Sequence, residues 1–130
     1  MTDIGTLDKD SLQEGIFYEI QDPVRVWKKL GGEKIATLIL LPGTVFFSGY
    51  EFICQRKMRA SSAFIETITN RDRVEVPIGR TRPDLTWGLG YPLIYRVGSM
   101  VFPYEEYSDY KVTCDSGIHF FATREEAVAW

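Results

Sequence analysis

The chain has 130 residues, of which 45% are hydrophobic and 25% are charged, and this balance predicts one folded domain with a single core. No uninterrupted apolar stretch of the sequence, such as that at residues 38–43, approaches the roughly 20 residues that a membrane-spanning helix needs. A formal net charge of -3 argues against a general electrostatic attraction to nucleic acid or anionic lipid.

Residues 1–23 are predicted to form an N-terminal arm that precedes the regular domain at residues 24–130. Within the arm, a short helix at residues 6–16 and an ordered extended segment fit equally well, because Gly15 would end any helical turn. The arm has no basic region followed by an apolar core, as a secretion signal would. We therefore expect the protein to remain inside the cell that makes it.

Short strands are predicted throughout the regular domain. Alternating or β-branched apolar residues favour strands from residue 24 onward and at residues 33–41, 44–47, 63–68, 74–76, 93–97, 100–102 and 118–121. A tight turn at Gly31-Gly32 predicts that the first two strands form a hairpin, and Gly98-Ser99 predicts a second hairpin between residues 93 and 102. At residues 63–68 a helix remains an alternative.

The C-terminal segment carries the clearest local signal. The sequence Thr-Arg-Glu-Glu at residues 123–126 is a capping box, in which Thr123 caps a helix and Glu126 reciprocates. Ala127 and Trp130 then share one helical face, so the indole can fold back over the sheet. The predicted class is α+β: a β-rich single domain of short antiparallel strands and hairpins with a short C-terminal helix, and with an N-terminal helix as an alternative.

The most specific sequence block is Cys-Asp-Ser-Gly-Ile-His-Phe-Phe-Ala-Thr-Arg-Glu-Glu-Ala at residues 114–127. Together with shorter blocks at residues 35–42, 57–63 and 95–98, it resembles a domain-of-unknown-function family of bacteriophages and giant DNA viruses, often found beside pentapeptide repeats. The resemblance covers about residues 24–130 and implies a viral origin and a place in the host cytoplasm or the virion. Since that family has no established activity, it implies no catalytic residue.

The sequence contains few residues of the types that catalysis or metal binding would need. His119 is the single histidine, so the chain has neither a multi-histidine metal site nor a pair of histidine acid and base. A thiol nucleophile at Cys114 would need His119 and an orienting acid such as Asp115 to converge on it. Cys54 and Cys114 are predicted to be free thiols. We predict a protein without catalytic residues, metal or cofactor.

One further resemblance concerns Gly-Ile-His-Phe-Phe-Ala, followed by a helix that ends in an aromatic residue. This block is similar to the strand-then-helix block of ADP-ribosyltransferases of the poly-ADP-ribose polymerase type, where an aromatic ring at each end packs against nicotinamide. Here Phe120 or Phe121 and Trp130 would take those places. Because Tyr95-Arg96 stands where the upstream histidine is expected, and the strand with the catalytic glutamate has no counterpart, the resemblance implies an inactive relic with a nucleotide-binding pocket.

A ligand pocket is predicted around clustered arginines and a glycine-rich aromatic loop, since guanidinium groups suit phosphate or carboxylate recognition. The candidate ligand-binding residues are Arg71, Arg73, Arg80, Arg82, Trp87, Tyr91, His119, Phe121 and Trp130. The alternative is that the arginines are solvated or paired with neighbouring acids. The acidic, tyrosine-rich residues 104–110 fit either a rim that contacts a protein or a solvated face.

Three functions stay open from the sequence. The first is a non-enzymatic viral binding protein directed at a host protein, such as a component of host defence, or at a phosphorylated small molecule. The second is a virion or assembly protein that acts as a homo-oligomer, and the third is the transferase relic. Neither a membrane nor nucleic acid is expected as a partner.

Overall fold

A computed structural model describes residues 4–52, 56–81, 93–103 and 117–130. The regular elements are the strands β1 (Gly5–Thr6), β2 (Phe17–Glu19), β3 (Val24–Lys29), β4 (Ile35–Leu40), β5 (Val45–Phe47), β6 (Met58–Ala60), β7 (Ala63–Thr69), β8 (Ile78–Arg80), β9 (Ile94–Arg96), β10 (Met100–Val101) and β11 (Ile118–Phe120), and the helix α1 (Arg124–Ala129). The prediction of a β-rich domain with a short C-terminal helix is confirmed.

The strands form two main sheets and one separate hairpin. One sheet has the order β1-β3-β4-β7-β10, the other has the order β11-β6-β5-β2, and β8 pairs with β9. Strand pairs are antiparallel except for β1 and β3, which run parallel. The predicted first hairpin is confirmed, because β3 and β4 pair from Val24 opposite Leu40 to Lys29 opposite Ile35. The alternative of a helix at residues 63–68 is wrong, because those residues lie in β7.

The main core joins residues from both sheets. Val26 and Leu38 lie opposite each other on one face of the five-stranded sheet, and both are fully buried. They belong to the same apolar cluster as Phe46, Met58 and Phe120 of the four-stranded sheet. The period-two alternation of β3 and β4 therefore directs one face of the hairpin into this core.

A second, smaller apolar cluster covers the opposite face of the β3–β4 hairpin. Trp27 and Ile35 project there and pack with Phe121 and Ala127. The backbones of Trp27 and Phe121 also exchange two hydrogen bonds, of 3.0 and 2.8 Å. These bonds form along the outer edge of β3, which is the edge that does not pair with β4. After β11 the chain therefore leaves the four-stranded sheet and reaches the face of the five-stranded sheet that points away from the main core. This path puts α1 against that face.

The N-terminal arm docks on its own domain through β1 and β2 and contains no α-helix. Its only helical turn among the described residues is a 3₁₀ turn at Lys9–Ser11. The alternative of a helix at residues 6–16 is wrong, because the backbone beyond that turn bonds to the neighbouring sheet. The Gln13 carbonyl accepts a bond from the Ser48 hydroxyl, and the Gly15 N–H donates to the Gly49 carbonyl.

The predicted second hairpin is also wrong. β9 pairs with β8, placing Tyr95 opposite Gly79, whereas β10 pairs with the edge of β7. The turn at Gly98 exists, but its N–H donates to the carbonyl of Ile65 in β7. The strand expected at residues 74–76 is reduced to a single bridge at Glu75, and the true strand, β8, follows it.

Arg56 fastens the arm to the four-stranded sheet. Its side chain is 5% exposed, and Nε donates to the Ser48 carbonyl at 2.9 Å. Nη2 donates to the carbonyls of Leu12 and Lys9 at 3.1 and 3.4 Å, and Nη1 pairs with the Glu51 carboxylate at 3.3 Å. One guanidinium thus satisfies carbonyls from two segments that are far apart in sequence.

We expect Arg56→Met to lower the free energy of unfolding by about 2 to 3 kcal/mol, because buried carbonyls lose their charged donor. Chemical denaturation measures this loss. Arg96→Met, the same change at an exposed strand arginine, should stay within about 0.5 kcal/mol of the wild type. Equal unfolding midpoints for the two variants would show that Arg56 does not fasten the arm.

Tyr95 is a polar residue within the main core. Its side chain is fully buried, and its hydroxyl oxygen has no hydrogen-bond partner in the part of the chain that the structure describes. Burial raises the pKa of this phenol far above its ordinary value of 10.0, since the phenolate would lose its hydration. The folded protein therefore keeps Tyr95 neutral at a pH where an unfolded chain would ionise it.

Because the folded-state pKa of Tyr95 is raised, its contribution to stability is complete below pH 10 and is lost as the pH rises further. We expect Tyr95→Phe to unfold with equal or higher free energy at about pH 8 and to lose less stability than the wild type at about pH 10.5. Urea denaturation at both values measures the difference. An equal loss in the two proteins would contradict the assignment.

Candidate anion-binding site

A concave, positively charged site lies beside the second core cluster. We call it the basic groove, and its volume is about 280 Å³. Its lining residues come from the β3–β4 hairpin, the turn after β7, and α1: Lys29, Glu33, Ile35, Asn70, Arg71, Arg73, Arg124 and Val128. Segments distant in sequence therefore build one surface.

Strand pairing and the helix position two sides of the basic groove. Lys29 ends β3 directly opposite Ile35, which begins β4, so both project from the face that α1 covers. Arg124 is the first residue of α1, and Val128 lies one turn further along. The Lys29 ammonium donates to the Val128 carbonyl at 3.3 Å, which joins the hairpin to the end of the helix.

The third side of the groove is a turn organised by Asn70. Its side-chain oxygen accepts the backbone N–H groups of Asp72 and Val74 at 2.9 and 3.0 Å, as asparagine does in tight turns. Arg73 adopts a positive φ of 62°, and its N–H donates to the Asn70 carbonyl at 3.0 Å. These local bonds hold the backbone of Arg71 and Arg73 in place.

The charge of the basic groove is opposite to that of the whole chain. Its lining has four cationic side chains and one carboxylate, a local charge of +3, whereas the chain carries -3. Glu33 pairs with Arg71 at 3.2 Å, but both side chains are largely exposed, so this pair is weak. Across the described ranges, neither Arg73 nor Arg124 has a carboxylate within ion-pair distance.

The predicted ligand residues do not form one cluster. Arg71 and Arg73 meet in the basic groove, while Arg80 lines a different cleft. Several earlier candidates lie outside the described residues: Arg82, Trp87, Tyr91, Cys54, Cys114 and residues 104–110. Sequence reasoning missed Lys29 and Arg124. The capping box that begins α1 was the available signal for Arg124, and the hairpin was the signal for Lys29.

His119, Phe121 and Trp130 are not among the residues that line the basic groove. His119 is half-buried in β11 opposite Arg59, a fully buried residue of β6. Phe121 packs directly on Trp130, with ring centroids 5.6 Å apart, and the ammonium of Lys57 lies 4.6 Å from the Trp130 ring. A planar ligand between two aromatic faces needs about 7 Å, twice the contact distance. The two rings therefore contact each other and leave no slot.

Comparison with known proteins adds one finding. Residues 12–127 match the model of the Family of unknown function (DUF5758). The chain belongs to this family. The DUF5758 match begins at residue 12 and not near residue 24, so it takes in β2 of the arm. No curated protein and no solved structure matches the chain.

In this DUF5758 chain, the described part of the block that most resembled a known family, residues 117–127, contributes to the core and to the start of α1. Within it, Phe120 enters the main core and Phe121 enters the second cluster. The predicted N-cap at Thr123 is confirmed, since the Glu126 N–H donates to the Thr123 hydroxyl at 3.2 Å. The Glu126 carboxylate reciprocates by accepting the Thr123 hydroxyl at 2.8 Å, where a capping box would use the backbone N–H of Thr123. The same carboxylate accepts a 2.9 Å bond from Lys9 of the arm.

The described part of the DUF5758 domain shows neither a cluster of metal-ligating side chains nor a membrane-spanning helix. Among the residues that the structure describes, no group of three or more His, Cys, Asp or Glu side chains converges as metal ligands would. No helix within these ranges has the length and hydropathy to cross a membrane.

Proposed function

We propose that this protein is a non-enzymatic binding module whose basic groove takes a phosphorylated small molecule. The observation that supports this most directly is the convergence of four cationic side chains on a concave surface with one carboxylate. Such a surface repels cations and offers a multiply charged anion several donors at once. The groove is shaped by strand ends, a helix and a bonded turn, so the backbone segments that carry the donors are positioned before the ligand arrives.

The donor types favour phosphate over a single carboxylate. Three of the four cations are arginines, whose planar guanidinium groups bond two oxygens side by side. A phosphate group offers at least three acceptor oxygens and about two negative charges, which suits a local charge of +3. The volume of about 280 Å³ is at the small end of the range for small-molecule pockets, so it suits a compact ligand.

The lining also supports binding without turnover. Its described residues include no cysteine, histidine, serine or threonine, so they offer no side-chain nucleophile of those types and no imidazole base. Its carboxylate, Glu33, faces Arg71. The groove thus supplies electrostatic stabilisation of an anion and little else.

Because the sequence resembles a family of bacteriophages and giant DNA viruses, we propose that the protein acts inside an infected cell. A phage or viral origin would make the ligand a phosphorylated compound of the host, and sequestering such a compound would disarm a defence that depends on it. Sequestration needs affinity and no catalysis, in agreement with the groove. Recovery of the protein from infected cells, followed by native mass spectrometry, would identify a retained host ligand.

We expect inorganic pyrophosphate to bind the groove and expect Arg73→Gln and Arg124→Gln each to weaken binding about tenfold, since each removes a charged donor. Glu33→Gln should tighten binding about threefold, because it removes the groove's repulsive charge. Isothermal titration calorimetry at low ionic strength measures all three, and binding should weaken as salt is added.

The matched control is Arg96→Gln, which removes an exposed arginine in β9 that does not line the groove. Its affinity for pyrophosphate should equal that of the wild type. If all three arginine variants bind pyrophosphate alike, the groove is not the site. If the protein does not bind pyrophosphate and sediments as an oligomer whose size depends on concentration, the result would instead favour a virion or assembly protein that acts as a homo-oligomer.

A further inference from the structure

A second concave surface lies on the other side of the β3–β4 turn. We call it the glycine cleft, and its volume is about 570 Å³, compared with about 280 Å³ for the basic groove. Its lining residues are Gly31, Gly32, Lys34, Ile78, Gly79, Arg80, Thr81 and Ile94, none of which lines the groove. The turn after β3 thus separates two sites with different linings.

The apolar part of the glycine cleft comes from the β8–β9 hairpin. Ile78 and Ile94 are 40% and 51% exposed, although both line a concavity. Arg80 lies directly opposite Ile94 in the hairpin register, so a charge and an apolar side chain stand side by side. Covering the two isoleucines would remove apolar surface from water, at a gain that grows with the area covered.

The polar part of the cleft offers donors without a competing carboxylate. Among the residues that the structure describes, neither aspartate nor glutamate lines the cleft, and no carboxylate lies within ion-pair distance of Lys34 or Arg80. The Thr81 hydroxyl oxygen accepts the N–H of Leu93 at 2.8 Å. Its hydrogen can therefore still be donated to a ligand.

Glycines bring the two walls of the cleft close together. A Cβ atom at Gly79 would lie 2.7 Å from Cδ1 of Leu30, so any larger residue there would have to displace that methyl group from the β3–β4 turn. On the turn itself, Gly32 has a φ of 71° and nothing within 4 Å of the position that a Cβ would occupy. That wall is bare backbone, which a ligand can approach.

We infer that the glycine cleft binds a small amphipathic monoanion, namely a carboxylate carried on an apolar body, independently of the basic groove. The apolar body covers Ile78 and Ile94, while the carboxylate meets Arg80 and Lys34. This ligand differs from that of the groove. The lining of the cleft includes two apolar side chains and two cations, whereas four cations dominate the groove.

The test uses 4-phenylbutyrate as the probe and 4-phenylbutan-1-ol as its neutral counterpart, each titrated into the full chain and followed by NMR chemical shifts. We expect the acid to bind at least about tenfold more tightly than the alcohol, because the alcohol lacks the charged contact. Perturbed resonances should include those of Gly31, Gly32 and Ile94. Equal affinities for the two probes, or no detectable binding of the acid, would overturn the inference.

Variants separate the cleft from the groove. Arg80→Gln should weaken binding of 4-phenylbutyrate about tenfold, and Ile94→Thr, which keeps a β-branched side chain, should weaken binding of both probes. Arg73→Gln, which lies in the groove, should leave the affinity for both probes unchanged. An unaltered affinity in Arg80→Gln would overturn the inference. Pyrophosphate binding in that variant should remain, so the failure of one proposal is distinguishable from the failure of the other.

Discussion

The pairing of β3 with β4 is the constraint on which the rest of the structure depends. This hairpin lies inside the five-stranded sheet, and both of its faces are covered. One face meets the four-stranded sheet, and the other meets Phe121 and α1. A slip of one residue in the register would exchange the two faces and place Trp27 where Val26 now packs. The register therefore determines both apolar clusters at once.

The same hairpin also determines where ligands can approach. The residues at and around its turn face two different surfaces. Lys29 and Glu33 line the basic groove, while Gly31, Gly32 and Lys34 line the glycine cleft. Rigid strands thus present charged side chains at their ends without burying them. Placing cations on a strand end avoids the desolvation that they would suffer inside the core.

The features predictable from sequence were those encoded by neighbouring residues. Gly31-Gly32 indicated the first hairpin, period-two alternation indicated β7 and β11, and Thr123 with Glu126 indicated the start of α1. Pairings between distant segments were not predictable in this way. Nothing close to Met100 in sequence shows that β10 would choose the edge of β7 over its nearer neighbour β9.

The same limit applies to the candidate site: residues clustered in sequence could be identified, but residues brought together by the fold could not. Arg71 and Arg73 stood out because they are clustered in sequence, and they do meet in one groove. Lys29 and Arg124 could not be added to them without knowing that the chain crosses behind the five-stranded sheet after β11. Arg80 looked like a member of the same cluster, yet β8 carries it into the other cleft. Clustering in sequence thus indicated which arginines could bind a ligand, but it did not indicate which of them line the same surface.

The outer edge of β3 has one more consequence, for the order of folding. Gly5 and Thr6 pair with the start of this strand, while Phe121 bonds to Trp27 further along the same edge. Lys9 and Glu126, which are 117 positions apart, then join the arm to the C-terminal helix. Such non-local contacts give a high contact order, and their loop-closure entropy must be overcome before the contacts form. While the chain is being synthesised, the edge of β3 stays incomplete until Phe121 has left the ribosome, so the strand that Gly5 and Thr6 join is completed only after about a hundred further residues have been made.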